Sequence, residues 1–499
     1  MSLAQYETHL SVEQRFRIAK ARSKRLLTAK LFNEADHPRD EQGRWTDAGG
    51  SEDRVSTTVP SAKKQGFDPH TRQDLAPTYD TFKQAMENPK YAAGVEKLMD
   101  RYGKSFARIP KGTAAEKAEA FVSHATSNLT ALYNAQDPEL RGRSATWYRG
   151  ARKIADDFSK QYGVSPRAVA GVLASLSPQR DWDQNVEMAT RVLDIAVAKG
   201  AIPIEGEKAA KTKQSMLDYA KTQLKDADKI EAKIPEGADP KDPAVRGQLL
   251  KVKNRRAMAA KITKMAGTFE GKKLSELPSL AEQAIVLRFY DEGNAEPGRA
   301  YAIWNPEGTK SGEVAMAGEG DKRKARLSGW GGFGMTEGAL SILANDSREN
   351  ISAQLGDNHK VRNFYNNIIS PEYGQDTTID THAIAAALLR PLGGGAVEVK
   401  EGLGMSGPKN AETGLKALYA LYSEAYRRAA KDAGILPREM QSTTWEALRG
   451  LFSPEEKRDA AIEKSVSDTW KRYKEGKIDL ADAQREILAR GIRPPRWAK

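Results

Sequence analysis

At 499 residues the chain is long enough for two to four domains, with at least one sizeable core. Its net charge of +12 favours a polyanionic partner, nucleic acid first, because every phosphate neutralised releases counterions; the same charge also fits a basic protein with no such partner. The absence of cysteine excludes disulfides, thiolate catalysis, Cys-ligated zinc and iron–sulfur clusters, and no apolar run reaches membrane-spanning length.

The N-terminal 33 residues are basic and amphipathic, with interrupting acids, and read as an arm or helix and not as a targeting peptide. Residues 34–77 are rich in Pro, Gly, Ser and charge, with almost nothing to bury, which predicts a disordered linker. Helical spacing dominates from there. A helical region is expected over 78–160, with Thr113 and Glu116 as a capping box. Ser165-Pro166 opens an apolar helix, AVAGVLASLS, that should be buried. A charged, solvent-facing helix is expected over 208–232 and a strongly basic one over 244–266. Ser279 and Glu282 form another capping box.

The interval 293–334 is rich in Gly and aromatics and reads as a β-hairpin insertion in a helical protein. Helices resume at 336–345, 348–356, 361–369, 380–390 and 411–433. The tail, 436–499, should hold a helix at 437–452, one capped by Ser453 and Glu456, and a short one at 480–490.

Four constellations bear chemistry. Leu355-Gly356-Asp357-Asn358-His359-Lys360, followed by VRNFYNN, reads as a helix–turn–helix corner. Its backbone N–H groups suit a phosphate, with Gly356, Asn358, His359 and Arg362 as DNA contacts. An ordinary αα-corner with a solvated lysine explains the same residues. Asp380 follows Lys360 by 20 positions, and the chain between can return it beside that lysine. An ammonium nearby keeps a carboxylate ionised, and the carboxylate can stabilise a cationic sugar. A desolvated lysine can attack that sugar. The plain alternative is that Asp380 is an N-cap.

Third, Ser177-Pro178-Gln179-Arg180-Asp181-Trp182 follows the buried helix and could wedge into the gap left by a flipped base, with Gln179, Arg180 and Trp182 as the contacts. Alternatively Trp182 packs on the core and Asp183 caps the next helix. Fourth, Lys251, Lys253, Arg255 and Arg256 cluster, as do Lys322, Arg323, Lys324 and Arg326 near Trp330 and Phe333. Basic residues beside aromatics suit nucleic acid, although most charge runs are solvated faces. The six histidines have no metal-ligand spacing, and no P-loop, dinucleotide fingerprint or nucleophile elbow is present.

Taken in order, these pieces resemble the helix-hairpin-helix DNA glycosylase superfamily. The Ser-x-Gln loop is matched by Ser177-Pro178-Gln179, the Lys/Arg/Ala helix by 254–277, the hairpin with its lysine by LGDNHKVRNF, and the Val-Asp-Thr-His motif by Ile379-Asp380-Thr381-His382. The resemblance covers roughly 160–392, apart from the insertion. It implies a mainly α fold, with a glycosylase-like helical core at 161–435 and a DNA-facing cleft. It implies Asp380 as the catalytic carboxylate, Lys360 as the lyase nucleophile and Gln179 as a DNA-gap residue.

The chain departs from the family at the hairpin, which is usually Leu-Pro-Gly-Val-Gly, and the family's iron–sulfur cluster has no ligands here. No cofactor is expected. The segment DHPRDEQGRWTDAGG is also similar to a short element of tailed-phage virion and head-morphogenesis proteins. The expectation is therefore a phage-encoded enzyme acting on duplex DNA, in a virion or the host cytoplasm, with virion proteins as further partners and no membrane. The alternative is a non-catalytic virion protein that keeps the fold to hold DNA.

Overall fold

The computed structural model describes residues 82–101, 107–295, 300–317, 324–325, 329–356, 359–372, 374–403 and 418–498. The N-terminal arm, the linker with its HPRDEQGRWT element, Asp357, Asn358, Lys322, Arg323 and Arg326 lie outside the described residues.

The described chain is mainly helical. Strand is confined to the Gly- and aromatic-rich interval. There Ala302–Trp304 pairs with Lys310–Val314, and Met316–Ala317 pairs antiparallel with Lys324–Ala325. No helix among the described residues is long and apolar enough to cross a membrane.

The chain divides into two compact units. Of the described residues, the first unit holds 158–301 and 314–346, and the second holds 82–157, 302–313 and 347–498. This corrects the expected contiguous core at 161–435 with flanking regions on either side. The physical reason is burial in the second unit. There the Ala114–Asn134 and Pro437–Leu451 helices pack on Thr381–Leu388 and Tyr419–Ala433, so segments distant in sequence share one apolar core.

In the first unit, Ser165 accepts a hydrogen bond from the Ala168 N–H at 3.1 Å and opens the Pro166–Leu176 helix, with proline where no N–H is needed. Residues 168–176 are all buried, as their apolar run predicts, and the helix packs against Phe333–Ala344. Gly206–Glu231 is exposed over much of its surface. It buries a stripe of mostly small residues with one methionine (Ala209, Thr212, Met216, Ala220, Ala227) at helical spacing, on the side that meets Pro243–Met265 and Leu280–Asn294.

In the second unit, the Thr113–Glu116 capping box forms as expected. Glu116 accepts from the Thr113 N–H at 2.7 Å, and the Thr113 hydroxyl accepts from the Glu116 N–H at 3.3 Å. The helix it starts points Phe121, Val122, Ala125, Leu129 and Leu132 fully into the core. Burying each of the larger side chains contributes about 2 kcal/mol. Phe121 meets Tyr422 edge-on at 5.3 Å. Ser453 and Glu456 do exchange hydrogen bonds, but they open only a short 3-10 turn, Glu456–Arg458. Asp459 caps the following Ala460–Lys474 helix instead, because its carboxylate reaches the free N–H groups of Ala461 and Ile462.

Candidate functional site

The hairpin corner is built by Gly356 and Arg362. Arg348–Leu355 ends at Gly356, whose φ of 59° and ψ of −151° lie where only glycine is comfortable. Arg362, on the next helix, His359–Ile369, reaches back: its guanidinium donates to the Gly356 carbonyl, to Ser352 Oγ at 2.5 Å and to the Ser352 carbonyl at 2.8 Å. Arg362 is 3% exposed. The expectation that it contacts DNA is therefore corrected. Its donors brace the two helices, and a buried guanidinium bound this way cannot reach a phosphate. His359 stacks on the Tyr419 ring, with centroids 4.8 Å apart.

Three buried asparagines of VRNFYNN tie this helix to the segment leading into Asp380. Asn367 Nδ2 donates to Thr378 Oγ1 at 3.1 Å, Asn366 Nδ2 to Asp376 Oδ1 at 3.4 Å, and Asn363 Nδ2 to the Tyr419 hydroxyl at 3.1 Å. That hydroxyl also accepts from the Ile379 N–H at 3.0 Å and donates to the Thr377 carbonyl at 2.7 Å. The element carrying Lys360 and the element carrying Asp380 are thus locked together by side chains that sequence reading passed over. Their signal was present: repeated amides on an otherwise apolar helix face must find partners when buried.

Asp380 is an N-cap. Its Oδ1 accepts from the Ala383 N–H at 2.8 Å, starting Thr381–Leu388. Its Oδ2 accepts from the Trp445 indole N–H at 3.1 Å. Lys360 is half-buried, and burial pushes its amine below the ordinary lysine range, while the negative charge of Asp380 pushes it back up. The two groups act on each other through space, with no direct ion pair among the described residues.

Trp445 also organises a wider cluster. His382 meets it edge-on at 5.5 Å, and the Arg449 guanidinium lies over its ring at 4.3 Å. Lys457 Nζ lies 2.7 Å from His382 Nδ1. Burial lowers His382 to about 3, so its ring is neutral at neutral pH and Nδ1 accepts from the lysine. Burial, with the charge of Arg449, lowers Lys457 to about 8, against the opposing pull of Asp380. Trp445, Arg449 and Lys457 carry no motif of their own and were not legible in the sequence.

The remaining candidates lie in the first unit. Gln179 is exposed, with a left-handed φ of 59°, an uncommon conformation for a residue with a side chain. Arg180 is half-buried, and its guanidinium rests against Gly331. Its pKa is lowered by burial and by the charges of Arg191 and Arg288. Trp182 opens the Trp182–Leu193 helix, and the cap is Asp181, not Asp183, since the Asp181 carboxylate accepts from the Gln184 N–H at 2.9 Å.

Lys253 is exposed. Arg255, however, donates to Gln223 at 2.6 Å and to Asp226 at 3.3 Å, and Arg256 to Glu231 at 2.6 Å and Asp228 at 3.1 Å. Acids of Gly206–Glu231 therefore partner two of the basic helix's charges, and Arg256 stays exposed beside them.

The model of a family of unknown function (DUF7178) matches residues 112–234 and 313–452, more than half the chain. The chain belongs to that family. Neither the curated proteins nor the solved structures give a match. Lys360, Asp380, His382, Trp445 and Arg449 fall inside the matched segments, and Lys457 falls just beyond them.

Proposed function

We propose that this protein binds DNA and carries a glycosylase-type site in its second unit. An everted nucleotide enters beside Asp380, the C1′–N bond breaks with its electron pair leaving on the base, and the Asp380 carboxylate stabilises the cationic sugar. Water adds to C1′ of the cation and its proton passes to the departing base; the resulting hemiacetal opens to the C1′ aldehyde, and the Lys360 amine condenses with it, losing water to give a Schiff base. The observation that carries this reading is the pairing itself: a half-buried lysine, depressed by desolvation, feels the charge of a carboxylate locked in place by two hydrogen bonds. In this reading the protein acts on duplex DNA, as the order of its motifs and its net charge of +12 suggest, in a phage virion or a bacterial host, as its DHPRDEQGRWTDAGG element suggests.

A second reading, a non-catalytic protein that holds DNA, is favoured by one observation: both Asp380 oxygens already serve structure. Base release from duplexes carrying assorted lesions and modified bases separates the two. Release that Asp380→Asn abolishes and Lys360→Ala spares marks a monofunctional glycosylase. Release from no substrate leaves the DNA-holding reading.

A further inference from the structure

The cluster around His382 is unbalanced in charge. Three cations, Lys360, Arg449 and Lys457, act on it together with one carboxylate, Asp380. None of the three cations has a carboxylate within ion-pair distance among the described residues. Arg449 is spent on the Trp445 face, and Lys457 on a neutral imidazole. Asp380, His382, Trp445, Arg449, Lys457 and Lys360 are all half-buried, so each is partly desolvated and each still reaches solvent. Partly desolvated cations without counter-charges are costly, and an anion arriving from solvent relieves that cost.

We propose that Arg449 and Lys457, with Lys360 behind them, form a phosphate seat at the rim of the Asp380 site. Arg449 offers a planar fork and Lys457 a compact ammonium, a pairing suited to a phosphate's tetrahedral oxygens. The Trp445 ring holds Arg449 directly and meets His382, which in turn contacts Lys457, and the same indole donates to Asp380. A phosphodiester held there would lie next to the carboxylate, so the seat sets where a strand crosses the site. A free phosphate or nucleotide has the same chemistry. The seat does not depend on base cleavage.

The test uses the full chain, titrated calorimetrically with inorganic phosphate and, separately, with a short undamaged duplex. Arg449→Gln and Lys457→Gln should each weaken phosphate binding by about tenfold or more, the usual size of a lost charge-assisted contact. Lys457→Arg should restore most of it, which guards against a merely misfolded variant. Phosphate binding should fall as pH rises through about 8, where Lys457 loses its proton. The charged groups facing that amine are Asp380 and Arg449 from neighbouring helices. On its own turn Glu456 is paired with Arg490 and Arg493, so it does not mask the effect.

Loss of duplex affinity in the same variants, with a salt slope shallower by about one per removed contact, assigns the seat to a nucleic-acid strand. Phosphate binding that is lost in the variants while duplex affinity holds assigns it to a free phosphate. Phosphate and duplex affinities unchanged in both Gln variants overturn the seat. Asp380→Asn distinguishes this inference from the glycosylase reading: it should abolish base release yet leave phosphate binding intact or tighter.

Discussion

Asp380 is a helix cap to which the proposed function also gives a chemical task. A carboxylate has about four lone-pair sites, and the Ala383 N–H and Trp445 indole take one on each oxygen. Asp380→Ala removes the cap and should cost ~1–2 kcal/mol in denaturant unfolding, whereas Asp380→Asn keeps an acceptor for the Ala383 N–H and should cost far less. Two histidines should make the fold acid-labile. Burial holds His382 at about 3 and His124, packed between Trp470 and Tyr473, at about 4. Both are ordinary histidines when unfolded, so the unfolded chain binds more protons below pH 6.5. Stability is therefore lost as pH falls from about 6.5 towards 4. His124→Phe should flatten that part of the melting-temperature profile, and an unchanged slope would exclude His124 as a source.

At the level of elements, most helices were legible because caps and periodicity agreed: Thr113, Ser165 and Ser279 start the helices they were expected to start. Ends were missed where two candidate caps sat close together, as with Asp181 and Asp183 or Ser453 and Asp459, because only geometry decides which side-chain oxygen meets the free N–H groups. The short hairpin of Ala302–Trp304 and Lys310–Val314 is pinned to Trp147–Tyr162 by two glycines. A Cβ on Gly150 would lie 2.0 Å from the Pro306 carbonyl oxygen, and one on Gly308, at a φ of 72°, 2.4 Å from the Gly150 oxygen. Gly150→Ala should therefore destabilise the protein by roughly 1–3 kcal/mol and open the hairpin to proteolysis. Proteolytic resistance equal to the parent's would show that the close approach is not required. Replacing Asn363 and Asn367 by Leu should loosen the tie between the Lys360 and Asp380 elements, seen as faster amide exchange over 376–380.

On the scale of the molecule, helical character was legible and the division into units was not. Periodicity reports which face of a helix is buried, but not that Ala114–Asn134 will be covered by helices more than 250 residues later. Net charge misled in part for a related reason: Arg255, Arg256 and Arg362 count as basic in the sequence, yet their partners on adjacent helices absorb them. Around Asp380, by contrast, Lys360, Arg449 and Lys457 have no acid within ion-pair distance among the described residues. On the proposed reading, duplex affinity should fall with salt, and Arg449→Gln and Lys457→Gln should each make that slope shallower by about one.

The pairing of Lys360 with Asp380 is tested most directly by borohydride trapping on duplexes carrying an abasic site or a modified base, followed by peptide mapping of any covalent adduct. A reduced adduct on Lys360 is expected, absent in Lys360→Ala and, on the modified-base duplex, strongly diminished in Asp380→Asn. An adduct on another lysine, or no adduct and no base release from any duplex, would contradict it.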